Sequence, residues 1–92
     1  MKTRLTKEEF DYAVSAPFIP ERLRNELING VQNRVQNRGR MERMVVEVTE
    51  DSADIIRSLC EDQLNLVGFD IDYSLNSQGK ILDSLIDKFF TD

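Results

Sequence analysis

The chain has no histidine, no tryptophan and a single cysteine, and these absences exclude several kinds of functional site. Histidine is the side chain that most often transfers protons near neutral pH, and no nucleophile motif or phosphate-binding glycine loop replaces it. The lone thiol, Cys60, cannot close an intramolecular disulfide, and without histidine it cannot complete a zinc site. We therefore expect that the protein is not an enzyme and that it binds neither a metal nor a cofactor.

Long hydrophobic runs are also missing, since no apolar stretch approaches the roughly 18 residues of a membrane-spanning helix. The first ten residues, MKTRLTKEEF, turn acidic and amphipathic where a signal peptide has an apolar segment. Hydrophobic residues make up 40% and charged residues 32% of the 92 positions, which is typical of a folded protein. We predict a single small globular domain over residues 1–92, located in the cytoplasm and not in a membrane.

The net charge of -5 is divided unevenly along the chain. Residues 1–43 carry nine basic and six acidic side chains, a net of +3, whereas residues 44–92 carry three and eleven, a net of -8. Such an asymmetry bears on the choice of partner rather than on the fold. It predicts two surfaces of opposite sign.

Two helices are indicated in the first third of the chain. Thr6 followed by Glu9 is typical of a capping box, and the proline-flanked segment PFIP predicts that this helix ends near Ser15. A second helix is expected to begin with Pro20 at its first position and to end at Gly30. Its inward-facing residues are predicted to be Leu23, Leu27 and Ile28.

Two further helices are indicated in the second half. A Thr49 cap with an acidic first turn predicts a helix that runs to Val67 and ends at Gly68. Its buried face is predicted to contain Ala53, Ile56, Leu59, Cys60, Leu64 and Val67. The last helix, capped by Asn76 or Ser77, carries a wide apolar stripe that is expected to supply core or, alternatively, a homodimer seam. This stripe consists of Ile81, Leu82, Leu85, Ile86, Phe89 and Phe90.

The repeat VQNRVQNRGR, residues 31–40, fits both a strand and a continuation of the second helix past Gly30, because its period of four suits either. The valine-rich segment MERMVVEVT that follows favours a strand, and a strand needs a partner. We therefore predict a β-hairpin in which residues 37–39 form the loop. The register expected from this loop places Arg34 opposite Glu42, Val35 opposite Met41, and Val31 opposite Val45. The fold class is thus α+β, predominantly helical, with about four helices and one small hairpin in the order α-α-β-β-α-α.

The segment DIDYSLNSQGKI, residues 70–81, begins like a calcium-binding loop but lacks two of its essential residues. Such a loop needs glycine at its sixth position and glutamate at its twelfth, where this chain has Leu75 and Ile81. We interpret the segment as a polar connection in which Phe69 and Tyr73 turn toward the core and the aspartates are solvated.

These patterns favour a non-enzymatic, acidic protein-binding module of the adaptor, regulator, immunity or antitoxin kind, whose partner is another protein. The alternative is a nucleic-acid-binding protein that uses the arginine-rich segment 31–43, which the acidic total and the lack of aromatic residues among the arginines disfavour. An exposed hairpin kept soluble by its charges would also account for the arginines. The candidate partner-binding residues are Arg34, Arg38, Arg40, Arg43, Asp70 and Asp72.

Overall fold

The computed structural model of the protein describes residues 1–35, 43–72 and 74–90. They form a three-stranded antiparallel sheet of order β1-β3-β2 with helices packed against it. In chain order the elements are β1 (Lys2–Thr6), α1 (Lys7–Ser15), α2 (Glu21–Asn29), β2 (Val31–Val35), β3 (Arg43–Glu47), α3 (Glu50–Val67) and α4 (Ser77–Lys88). The α+β, mostly helical class is confirmed.

The helices begin and end close to where the sequence predicts. Thr6 accepts a hydrogen bond from the backbone N–H of Glu9, whose side chain accepts from Thr6 in return, so the predicted capping box is present. Thr49 caps α3 and Asn76 caps α4, each through a side-chain oxygen that satisfies an otherwise unpaired N–H of the first turn. Pro20 is the residue before α2 rather than its first residue, a difference of one position.

The order α-α-β-β-α-α is wrong, because the chain begins with a strand. In β1 the side chains alternate, with Thr3 and Leu5 buried and Lys2 and Arg4 exposed. This two-residue period is that of a strand with one face on a core, and β1 pairs with β3 along its whole length. The strand is difficult to recognise in the sequence, because it has only five residues and ends at Thr6, the residue that caps α1.

The hairpin of β2 and β3 is present, but its register differs from the predicted one. Arg34 lies opposite Met44 and Val35 opposite Arg43, while Val31 lies opposite Val46. The pairing shifts between Val31 and Asn33, which is the signature of a bulge. The predicted three-residue loop 37–39 lies outside the described residues, and the paired strands leave seven residues between Val35 and Arg43.

The helices cover one face of the sheet and the core lies between the two layers. From the sheet, Leu5, Met44 and Val46 point into it and are almost completely buried. The helices contribute apolar residues from all four of their inner faces, which are Ala13, Leu23, Leu27, Ala53, Ile56, Cys60, Leu82 and Leu85. The opposite face of the sheet carries no helix among the described residues.

Three residues of the predicted helical stripes that were expected to face inward are exposed. Ile28 is 51% exposed because it lies beyond the Leu23 and Leu27 stripe of α2. Val67 is 38% exposed at the last residue of α3. Phe90 is 55% exposed because α4 ends at Lys88, so the helical spacing of the stripe no longer holds there. Its ring instead receives the guanidinium of Arg57 at 5.2 Å.

Gly68 and Gly79 bring the end of α3 into close contact with the start of α4. A Cβ added at Gly79 would lie 2.0 Å from the carbonyl oxygen of Gly68, so the first turn of α4 rests directly on the backbone that ends α3. A side chain at Gly79 would therefore require one helix to move, whereas a Cβ at Gly68 would first meet the side chain and the carbonyl oxygen of Leu64, at 2.3 and 2.7 Å. The contact fixes where the α3–α4 connection leaves the body of the protein.

One buried ionic group joins the ends of the fold. The carboxylate of Glu9 on α1 accepts hydrogen bonds from the ammonium of Lys88 and the hydroxyl of Ser84, both on α4. Burial alone would raise the pKa of Glu9, but these hydrogen bonds, the bond from the Thr6 backbone and the charge of Lys88 together lower it. Within the described residues, no helix is long and apolar enough to cross a membrane.

Candidate functional site

Four large apolar side chains are exposed together where α3 ends and the chain turns toward α4. Their exposed fractions are 78% for Leu66, 38% for Val67, 43% for Phe69 and 102% for Ile71. We call these four residues the apolar tip. Single exposed apolar residues are ordinary, but four within six consecutive positions form a patch.

Backbone and side-chain hydrogen bonds fix the loop that carries the apolar tip. The Asn76 amide donates to the carbonyl of Val67 at 2.8 Å, and the Asn76 N–H donates to the carbonyl of Gly68 at 3.0 Å. The N–H of Asp70 donates to the carbonyl of Ser74 at 2.8 Å, and residues 69 and 75 form a β-bridge. The loop is therefore closed at both its base and its middle.

Asp72 adds a further constraint on this loop. Its carboxylate accepts hydrogen bonds from the hydroxyl of Ser74 at 2.6 Å and from the N–H of Ser74 at 3.1 Å. These two bonds lower the pKa of Asp72, so the carboxylate is charged at neutral pH. The geometry is that of an Asx turn, in which a side chain replaces a backbone acceptor.

The surroundings of the apolar tip are acidic. From Ser58 to Gly79 the chain contains four carboxylates and no lysine or arginine. Asp70 and Asp72 are exposed beside Ile71, and Asp62 is exposed one helical turn before Leu66. The apolar tip is thus an apolar patch with a rim of negative charge.

The six predicted partner-binding residues fall into two groups. Asp70 and Asp72 lie together at the apolar tip. Arg43 begins β3 and is exposed, whereas for Arg34 the structure describes only the backbone, in β2 opposite Met44. Arg38 and Arg40 lie outside the described residues.

Arg43 belongs to the uncovered face of the sheet, where the register places it opposite Thr6. Lys2 and Arg4 are exposed on the same face, because they pair with Glu47 and Val45 at alternate positions. The Lys2 ammonium lies 3.9 Å from the Glu47 carboxylate. Among the described residues of this face none is aromatic.

Sequence reasoning identified the aspartates of the apolar tip but not its apolar members. Phe69 was expected to turn toward the core and is instead 43% exposed, in a loop that closes on itself through the bridge between residues 69 and 75. Tyr73 lies outside the described residues. One signal was available, namely that the run LVGFDI is too apolar for a solvated connection.

The lone thiol of the chain lies in the core. Cys60 is completely buried, and burial, with a smaller effect from the charge of Glu61, raises its pKa to about 12. Within the described ranges, no three acidic, histidine or cysteine side chains converge as metal ligands.

No protein-family model matches this chain, and comparison with curated proteins and with solved structures gives no significant match.

Proposed function

We propose that this protein is a non-enzymatic protein-binding module and that the apolar tip is its docking surface. The observation that carries this proposal is the exposure of Leu66 and Val67 at the end of α3 and of Phe69 and Ile71 in the loop that follows, whose described residues are joined by hydrogen bonds. Exposed apolar patches with a polar rim often mark sites of protein–protein interaction.

The fixed shape of the loop is the second support. A flexible loop loses conformational entropy when a partner orders it, and this loss weakens binding. Here the bonds from Asn76 to Val67 and from Asp70 to Ser74 have already ordered the loop. A docking surface prepared in this way binds with little further ordering.

The convex shape of the apolar tip indicates what the partner presents. Ile71 is as exposed as a side chain in an open peptide, so it projects from the loop instead of lining a groove. A projecting isoleucine beside a half-exposed phenylalanine fits an apolar pocket on the partner. The tip is the inserted element and the partner supplies the cavity.

The acidic rim indicates the charge of the partner. Asp62, Asp70 and Asp72 surround the apolar tip, and the chain offers no basic residue from position 58 to 79 to neutralise them. Lysine and arginine around the partner's pocket would be attracted to this rim and would increase the association rate at low salt.

Site-specific photocrosslinking in the native cell tests the proposal. A photoreactive phenylalanine analogue at position 71 should give one discrete adduct with another protein, because this position would lie within the interface. The same analogue at position 28, where an isoleucine on α2 is 51% exposed, is the matched control. Adducts of the same protein from both positions, or none from position 71, would contradict docking through the apolar tip.

Nucleic-acid binding is the second candidate, and the uncovered face of the sheet favours it. Lys2, Arg4 and Arg43 are exposed there and could contact phosphates. The pairing of Lys2 with Glu47 and the absence of aromatic side chains from the described part of this face weigh against it. We therefore place it second.

A further inference from the structure

A concave surface lies on the helical layer, away from the sheet. It is a cleft of about 450 Å³ between the α1–α2 turn and the facing sides of α3 and α4. Its aromatic wall consists of Tyr12 and Phe18, whose ring centroids are 6.2 Å apart and tilted by 54°. Its opposite wall consists of the amides of Gln63 and Gln78. The volume lies within the range of ligand-binding clefts.

The aromatic wall is held in place by its neighbours. Ala16 and Ile19, on either side of the turn, are buried in the core and leave Phe18 half-exposed between them. The N–H of Ile19 donates to the carbonyl of Ala16 at 3.2 Å, which closes the turn. Pro17 is exposed at the rim and restricts the backbone further.

The polar groups of the cleft are uncharged, and two of them are hydrogen-bonded to each other. The Gln78 amide donates to the hydroxyl oxygen of Tyr12 at 2.8 Å, so the Tyr12 proton remains to be donated elsewhere. Burial raises the pKa of Tyr12, and the hydroxyl therefore keeps this proton at neutral pH. Ser15 is already used, since its hydroxyl donates to the carbonyl of Asp11 at 2.6 Å.

We propose that this cleft binds a proline-rich segment of another protein in the extended polyproline II conformation. Such a segment presents flat apolar rings and unpaired carbonyl oxygens, and it has few N–H groups that need acceptors. The rings of Tyr12 and Phe18 match the prolines, and the Tyr12 hydroxyl and the Gln63 amide match the carbonyls. The inference is separate from docking at the apolar tip and does not depend on it.

The lining favours this ligand over a charged one. Among the described residues the cleft lining contains no charged side chain, which disfavours an acidic or basic ligand that would have to lose its hydration without compensation. Aromatic-lined grooves with neutral donors are the common means of recognising polyproline II segments.

Titration of the full-length, ¹⁵N-labelled protein with a ten-residue polyproline peptide tests the proposal by NMR. Saturable shifts should appear in the signals of Tyr12, Phe18 and the side-chain amides of Gln63 and Gln78. A glycine-serine peptide of equal length should cause none. The absence of saturable shifts, shifts centred on another surface, or equal binding of the control peptide would each overturn the proposal.

Two conservative variants separate recognition from folding. Tyr12→Phe keeps the ring and removes the hydroxyl, and Gln63→Ala removes one amide, so each should weaken binding about two- to tenfold, as expected for one lost hydrogen bond. Gln32→Ala, at an exposed glutamine on β2, is the control and should bind like the wild type. Variants that keep native spectra and unchanged affinity would also overturn the assignment.

Discussion

Glu9 is a buried side chain that links α1 to α4, the first and the last helix of the fold. It completes the capping box of α1 and accepts from Lys88 and Ser84 on α4, although only 6% of the residue is exposed. A buried charge is costly unless it is paired and hydrogen-bonded, and here three donors meet that requirement. The residue therefore couples the position of α4 to a cap at the start of α1.

The effect of pH on stability follows from the lowered pKa of Glu9. A carboxyl whose pKa is lower in the native state than in the unfolded state stabilises the fold above the unfolded value, about 4.3 for glutamate. This contribution is lost as pH falls through the native pKa. Urea unfolding between neutral and acidic pH should show the loss, and Glu9→Gln should reduce that pH dependence. An identical pH profile for wild type and variant would contradict the role assigned to Glu9.

Removal of the carboxylate by Glu9→Ala is expected to cost about 1 to 3 kcal/mol in the free energy of unfolding at neutral pH. This is below the ~3–5 kcal/mol of a fully buried pair because solvent reaches Lys88, whose side chain is 32% exposed. Glu8→Ala, an exposed neighbour, is the control and should stay within about 0.5 kcal/mol of the wild type.

Cys60 should be unreactive in the native protein. It is completely buried on α3 and its pKa is raised to about 12, so the thiolate that reacts with thiol reagents is rare at neutral pH. Labelling with a chromogenic disulfide should proceed only at the rate at which the protein opens, and denaturant should make it immediate. Fast labelling without denaturant would show that α3 does not protect this position.

At the scale of the elements, α4 is the helix on which the core depends most. Leu82 and Leu85 are completely buried against α3 and the sheet, and Phe89 is buried just after the helix ends. These residues are already buried within a single chain. A homodimer would therefore have to form through another surface. The sequence predicted the stripe correctly up to Phe89 but not at Phe90, which is exposed. Apolar residues that recur with a period of 3.6 over three turns are typical of a helix with one buried face.

Leu85→Ala is expected to lower the free energy of unfolding by about 2 to 5 kcal/mol, as large-to-small changes in packed cores do. For a domain of this size the loss is a large share of the total stability. Thermal unfolding monitored by circular dichroism measures it. Asp83→Ala, exposed on the same helix, is the control. A wild-type midpoint for Leu85→Ala would show that α4 is not part of the core.

Gly79→Ala tests the contact that positions the apolar tip. Alanine favours a helix over glycine by about 1 kcal/mol, but its Cβ would lie 2.0 Å from the Gly68 carbonyl oxygen, which is backbone and cannot rotate away. The clash should prevail, and overpacking of this kind costs about 1 to 3 kcal/mol. Ser77→Ala, two residues earlier and exposed, is the control. A stabilised Gly79→Ala variant would mean that the two helices separate easily.

The sequence predicted elements with strong end signals better than it predicted strand pairing. Caps at Thr6, Thr49 and Asn76 define helix starts through bonds that span three residues. The strands depend on partners far away in the chain, as β1 depends on β3, and no local pattern states that partnership. The hairpin register likewise differs from the predicted one, by two residues at Arg34 and Val35 and by one at Val31, beyond the bulge.

The candidate site, too, could be predicted only in part from the sequence. The negative charges of Asp70 and Asp72 follow from the sequence alone, because they are properties of those side chains. The exposure of Phe69 could not be predicted in this way, because it depends on how the loop between α3 and α4 packs against the rest of the protein. Exposure of an apolar side chain is a property of the packed molecule.

At the scale of the whole molecule, charge is separated in space as well as along the chain. The uncovered face of the sheet carries Lys2, Arg4 and Arg43, while the apolar tip is rimmed by acids. The 18 residues of α3 span about 27 Å between its start near the sheet and the tip. That separation exceeds the Debye length of about 8 Å at physiological salt, so the two surfaces act independently.

The uncovered face of the sheet predicts weak binding to nucleic acid, because Lys2 is paired with Glu47 and none of its described residues is aromatic. Titration of duplex DNA and single-stranded RNA at ~50 mM salt, where phosphate contacts are strongest, should give no micromolar complex. The control is the quadruple alanine variant of Arg34, Arg38, Arg40 and Arg43. Micromolar or tighter binding that weakens with salt and is lost in this variant would favour the nucleic-acid function instead.

The most direct test of the central claim is the affinity of the crosslinked partner, once purified, for tip variants measured by titration calorimetry. Ile71→Ser and Phe69→Ser should each weaken binding more than about tenfold, because buried apolar anchors dominate interface energies. Ile28→Ser, which removes the same side chain from a position 51% exposed on α2, should leave the Kd unchanged. Wild-type affinity in both tip variants would contradict the claim that the apolar tip is the docking surface.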